Sequence, residues 1–158
     1  MDAIVEPILK DLLGLLGFQS AGIAKDEVAG QVIFSIEAGE AGRALIGQYG
    51  DTVYALDLLI KKMAEKKLGA PADGLDDRQE MLFLIDVNGY RTQKIKDLQA
   101  KALMMAERAR SLQYDVELSP MSAYERLIVH TTLQDAPHVK TESQGEGRNR
   151  RVVIKYAG

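Results

Sequence analysis

Residues 81–91, Met-Leu-Phe-Leu-Ile-Asp-Val-Asn-Gly-Tyr-Arg, decide how this chain divides. The unbroken apolar run from Met81 to Val87 has the pattern of a buried strand. Asn88-Gly89 is a turn dipeptide that ends it. Just upstream, Gly69 to Gln79 (GAPADGLDDRQ) is the most loop-like segment of the sequence and taken alone suggests a domain boundary. The strand overrides that signal, because the elements before it need a third strand to complete a sheet. The boundary therefore moves to Asn88-Gly89, giving domains of residues 1–88 and 89–158.

Upstream of the strand, Ile4, Ile8, Leu12, Leu15 and Leu16 mark an amphipathic helix that stops near Gly17. Two extended runs follow, Phe18 to Ala24 and Gln31 to Glu37, with the polar stretch Lys25 to Gly30 as the turn of a hairpin. A short helical turn bounded by glycines spans residues 40–50. Val53, Leu56, Ile60 and Met63 then place a longer helix over residues 52–68. Downstream, Ile95, Leu98, Ala102, Met105 and Ala109 predict a long helix from Arg91 to Leu112, followed by a strand from Asp115 to Leu118. A second helix runs from Ala123 to Leu133, with Ser122 and Glu125 spaced as a capping box. Strands Val139 to Ser143 and Arg150 to Tyr156 close the chain.

Composition removes several function classes. The 158 residues contain no Cys and two His, His130 and His138. Disulfide frameworks, thiolate metal sites and cysteine nucleophiles are excluded together. No run reaches the roughly 18–20 apolar residues of a membrane helix, and Met1-Asp2-Ala3-Ile4 lacks the basic start of a signal peptide. A cytoplasmic protein without membrane insertion is expected. The net charge of −3 argues against a nonspecific nucleic-acid coat, but it hides an asymmetry. Residues 1–80 carry 8 Lys/Arg against 14 Asp/Glu, and residues 81–158 carry 12 against 9. Attraction to a polyanion belongs to the second half.

Two constellations carry chemistry. The first is Ile46-Gly47-Gln48-Tyr49-Gly50 between two helices. Paired glycines let the backbone turn tightly and leave no side chain to block a sugar-phosphate strand, while the following helix start offers unbonded N–H groups. A bare G-x-x-G recurs by chance in a chain with 14 glycines, and the competing reading is a helix corner that merely packs. The second is Tyr124-Glu-Arg-Leu-Ile-Val-His130. At about 100° per residue Arg126 and His130 share a face, and Tyr124, Leu127, Ile128 and Thr131 are expected opposite them as the core stripe. A solvent-facing Arg and His make a donor pair suited to phosphate oxygens.

With Pro120 to His130, Leu133-Gln-Asp135, Thr141 to Gly147 and Arg150 to Ile154 as its setting, this second motif resembles the small single-stranded nucleic-acid module named after Arg-x-x-x-His. Preceded by the glycine loop and by Leu84 to Arg91, the whole chain is similar to the bacterial Jag (KhpB) family, which joins a KH domain to an Arg-x-x-x-His (RxxxH) domain. The resemblance implies an α/β (α+β) fold, with a type II KH-like domain (αββααβ) followed by a small sheet with two helices. It implies a non-catalytic RNA-binding regulator of the bacterial cytoplasm, its partners being single-stranded RNA or DNA and a small single-KH protein. The nucleic-acid contacts then fall to Arg126, His130, Gly47, Gln48, Tyr49, Gly50, Arg43, Arg150 and Arg151, with no catalytic residue, metal or cofactor.

The loop departs from the family pattern, in which a Lys or Arg stands between the glycines. Here they are Gln48 and Tyr49, with Asp51 next. Asp51 suits a helix start but opposes a phosphate there, so stacking of Tyr49 on a base is one alternative. Another is an adaptor whose KH-like unit pairs with a second KH protein and binds RNA weakly or not at all. Family members often carry a further N-terminal domain and a basic linker, neither of which is in this sequence. Among the remaining clusters, Asp73, Asp76, Asp77 and Glu80 have no patterned metal spacing. Lys61, Lys62, Lys66 and Lys67 read either as a solvated helix face or as a steering patch. Ser119 and Ser122 near His130 lack a nucleophile elbow, and capping accounts for Ser122.

Overall fold

The apolar run forms β3 (Leu84–Val87), buried along its whole length. It pairs in parallel with β2 (Gln31–Glu37), Phe34 opposite Ile85 and Ile36 opposite Val87. The computed structural model describes residues 2–69 and 83–158. Met81, Leu82, nearly all of the loop from Gly69 to Gln79 and the Asp73, Asp76, Asp77 and Glu80 cluster lie outside the described residues. The chain divides into two compact units, Met1–Thr92 and Gln93–Gly158.

The first unit follows the order helix, strand, strand, helix, helix, strand. Its elements are α1 (Asp2–Leu15), β1 (Gly22–Val28), β2, α2 (Gly42–Ile46), α3 (Asp51–Leu68) and β3. The sheet order is β1-β2-β3, with β1 antiparallel to β2. β1 starts and ends later than the sequence predicts: Lys25, Asp26 and Glu27 are strand residues, and the turn shrinks to Ala29-Gly30, both at positive φ. Polar residues tolerate this position because β1 is an edge strand with much of its surface in water. The two-residue turn also matches the twist of the flanking strands.

Val5, Ile8, Leu9 and Leu13 of α1 pack with Phe34, Ile36, Leu45, Val53, Leu56, Ile60, Ile85 and Val87 into one core. Leu15 and Leu16, expected in the α1 stripe, are instead exposed. The sequence around Leu12-Leu13-Gly14-Leu15-Leu16 is apolar on several faces, so periodicity alone does not choose among them. Phe34 meets Phe83 edge to face at 5.7 Å between ring centres. Each of these large side chains, once buried, contributes about 1.5–3 kcal/mol.

A buried polar cluster ties α3 to β3 and to the start of α4 (Tyr90–Leu112). Asp57 accepts from Lys61 Nζ at 2.8 Å and from the Ile85 amide at 2.9 Å, and its carboxylate lies 3.1 Å from Arg91 Nη1. Asp86, wholly buried, accepts from the amides of Val87, Arg91 and Thr92 at 2.7, 2.8 and 2.9 Å. It thereby satisfies N–H groups that the first turn of α4 leaves unbonded. Asn88 accepts from the Ala38 amide and donates to the Gly39 carbonyl, fixing the end of β3 to the chain entering α2. Lys61 is thus no part of a solvated or steering face, because Asp57 holds it inside. Lys62, Lys66 and Lys67 are exposed.

In the second unit β4 (Val116–Glu117), β6 (Arg151–Tyr156) and β5 (Val139–Gln144) form an antiparallel sheet with β6 in the centre. One face packs under α4 and α5 (Ala123–Leu133). Ala102, Ala106 and Ala109 of α4 join Val116, Leu118, Val129, Leu133, Val139, Val152 and Ile154 in that core. Small side chains at this helical spacing let α4 approach closely. Across the other face, Arg151 bonds Glu117 and Lys155 bonds Glu142, each at 2.7 Å. These cations hold both carboxyls below their usual range.

Candidate nucleic-acid interface

The start of α5 is fixed locally. Ser122 accepts from the Glu125 amide at 3.2 Å, and the Glu125 carboxylate accepts from the Ser122 amide at 2.8 Å, completing the expected capping box. One turn further on, Arg126 Nη1 donates to the Met121 carbonyl at 3.0 Å. The Met121 amide in turn donates to the Arg150 carbonyl at 3.1 Å. A single residue, Met121, therefore links the start of α5 to the residue just before β6. It brings two sequence-predicted cations, Arg126 and Arg150, to the same end of the unit. Arg126 is half-buried and oriented, whereas Arg150 is exposed.

His130 departs from the expected solvent-facing donor. Its Nδ1 lies 2.6 Å from Thr141 Oγ1 and its Nε2 3.0 Å from Ser143 Oγ. Thr141 and Ser143 stand two residues apart on β5 and so share the face turned to α5. The buried side of α5 is Ile128, Val129 and Leu133, while Leu127 and Thr131, expected in the stripe, are exposed. Arg126 and His130 accordingly flank the core edge rather than oppose it. Helical periodicity does not single out Thr141 and Ser143. The alternation of β5 about Val139 is the signal that points to them.

Burial, and after it the nearby Arg126 charge, lower the pKa of His130 from 6.5. The folded state therefore takes up a proton less readily than the unfolded chain. This site's share of stability is intact above about pH 6.5 and declines as pH falls below that value. In thermal melts between about pH 7.5 and 5, the wild type loses more stability than His130→Gln. Parallel curves for the two proteins would contradict the assignment.

Arg151 lies on the sheet face opposite the core residues Val152 and Ile154 that face α5. Successive strand residues alternate faces, and its guanidinium bonds Glu117, which makes it a cross-strand tie.

In the first unit, Gly47, Gln48, Tyr49 and Gly50 join α2 to α3 as one tight bend. Gly47 sits at φ +73° and Gly50 at φ +82°. A Cβ at Gly47 would collide with the Thr52 side chain, and one at Gly50 would come within 2.6 Å of Tyr90 Cε1. Close packing explains both glycines without any ligand. Gln48 and Tyr49 project outward, Tyr49 being 81% exposed, and Arg43 and Asp51 are exposed as well. The structure thus brings Arg126, His130 and Arg150 together in one unit, and Arg43 with the four loop residues in the other.

No helix among the described residues is long and apolar enough to cross a membrane. No cluster of three or more metal-ligating His, Cys, Asp or Glu side chains occurs among them.

Residues 96–156 match the R-three-H domain family, a span that holds β4, α5, β5, β6 and most of α4. The chain is 31% identical to RNA-binding protein KhpB of Bacillus subtilis (strain 168), an alignment covering 96% of this chain and 72% of that protein. It is 30% identical to RNA-binding protein KhpB of Clostridium symbiosum over 70% of this chain and 46% of that one. The KhpB protein of Streptococcus pneumoniae serotype 2 is 27% identical over 85% of this chain and 38% of its own length. A match that runs through both units at this identity, together with an R-three-H domain enclosing Arg126, His130 and Arg150, makes this chain a member of the KhpB family.

Proposed function

We propose that the protein is a non-catalytic RNA-binding protein of the bacterial cytoplasm that grips single strands mainly through its second unit. Arg126 and Arg150 would hold phosphate oxygens at the start of α5, and His130 would position that helix against β5. The first unit is read as a KH-type module, residues 1–88, adding a second contact through its glycine loop. A small single-KH protein is a candidate partner of that module.

The observation that carries the reading is the Met121 link. It orients the half-buried Arg126 guanidinium at a segment hydrogen-bonded to the backbone of exposed Arg150, in the half of the chain with excess positive charge. A guanidinium pre-ordered in this way loses little entropy on meeting a phosphate. The non-catalytic reading has a geometric support too. Both ring nitrogens of His130 are engaged by hydroxyls, Thr141 Oγ1 and Ser143 Oγ, which leaves neither turned to a substrate proton.

Anisotropy titrations with unstructured RNA, the matching DNA and a duplex, at two salt concentrations, test this reading. Single strands should bind more tightly than duplex, and log affinity should fall by about 0.7 per tenfold salt for each phosphate neutralised. Absence of single-strand binding would overturn the proposal.

A further inference from the structure

Three tyrosines surround the glycine loop, and the fold does not need all of them to be as they are. Tyr49 stands at its apex, 81% exposed, with φ +55°. Both features are unfavourable for that residue: a large ring left in water, on a left-handed backbone that Gly or Asn adopts more cheaply. Costs of this kind gather at functional positions. Tyr90 packs against Gly50 and the core of the first unit. Tyr54, one turn into α3, closes on the same side of Gly50 as Tyr90 and is 43% exposed.

Tyr54 is also held from behind. The Arg91 guanidinium sits 4.8 Å from its ring centre, and Arg91 is itself buried and fixed by Asp57 and by the Ile85 carbonyl. A ring anchored on a buried cation gives up little freedom when something stacks on its exposed part. The charges at the loop point the same way. Gln48 is neutral, and Asp51, exposed at the first turn of α3, offsets the exposed Arg43 ahead of the loop, so a phosphate finds no net positive charge there.

We propose that Tyr49 and Tyr54 form a stacking platform for unpaired nucleobases, so that the first unit holds a single strand by its bases rather than by its phosphates. This rests on the RNA-binding reading above and names the part of the ligand that the first unit recognises. Every base has a π-face, so the platform is tolerant of sequence, and because it neutralises no phosphate it adds little to the salt slope. The two units then divide the work, charge in the second and stacking in the first.

The test uses the full chain with two probes of about ten nucleotides, oligoadenylate RNA and an abasic strand of the same length. The variants are Tyr49→Phe, which keeps the ring, and Tyr49→Asn, which suits the left-handed backbone and so preserves the fold. Tyr49→Asn should weaken oligoadenylate binding about tenfold, within the range for loss of one stacked base. It should leave abasic binding and the salt slope unchanged and hold or raise the melting temperature. Tyr49→Phe should bind within about twofold of the wild type. The chain has six Tyr and no Trp, so stacking should also quench the intrinsic tyrosine emission.

A folded Tyr49→Asn protein that binds oligoadenylate as the wild type does would overturn the platform while leaving RNA binding intact. The same result accompanied by altered self-association would assign the rings to a protein contact instead, again overturning it. A wild type that binds neither probe would remove the RNA-binding reading and the platform with it.

Discussion

Replacing Asp57 with Ala should destabilise the first unit by about 3 kcal/mol or more, the usual consequence of taking one partner out of a buried ion pair. The carboxylate serves two buried cations, Lys61 and Arg91, and the Ile85 amide as well. Losing it leaves the guanidinium under Tyr54 without its counter-charge and removes the acceptor of a strand amide. Asp57→Asn keeps an acceptor for Ile85 and should cost less. The check is the midpoint of urea unfolding, with amide exchange at Ile85 as the local readout. An Asp57→Ala protein with an unchanged midpoint would show that the cluster is a passive product of packing.

That cluster marks where sequence reading stops. Asp57 and Arg91 lie 34 positions apart and meet only because β3 inserts beside β2 and delivers the start of α4 to α3. No local pattern reports such a meeting. In sequence Lys61 is like any lysine on a charged helix, and only the fold reveals that it turns inward. Features with local causes are legible. The Ser122–Glu125 capping box forms as its spacing requires, the two helices downstream of Asn88-Gly89 end where predicted, and the apolar run before that turn yields β3.

The candidate site is legible in the same uneven way. Helical spacing correctly puts Arg126 and His130 on one side of α5 but places the core directly opposite. The third neighbour, β5, arrives from beyond the helix and supplies Thr141 and Ser143 to the imidazole. The Phe18 to Ala24 strand is set too early when polarity is read as a turn signal. At the edge of a sheet, polarity is compatible with a strand.

A loss of Arg126 has the largest effect expected on binding. Its guanidinium is already oriented by the Met121 carbonyl, which engages Nη1 and leaves the other donors of the fork to a phosphate. A charge-assisted hydrogen bond of this kind contributes about 1.5–3 kcal/mol, so Arg126→Ala should weaken single-strand affinity by about tenfold to a hundredfold. The fold should persist, because Val129, Ile128 and Leu133 anchor α5 and the capping box is untouched. Arg151→Ala offers the control. Its side chain is bonded to Glu117 across the sheet, and its loss should change affinity far less.

The most direct measurement is the salt dependence of single-stranded RNA affinity for wild type and Arg126→Ala. Neutralising one phosphate fewer should flatten the slope of log affinity against log salt by about 0.7, with the far-ultraviolet spectrum of the variant unchanged. A folded Arg126→Ala protein with the wild-type slope and affinity would contradict the assignment of phosphate binding to the start of α5.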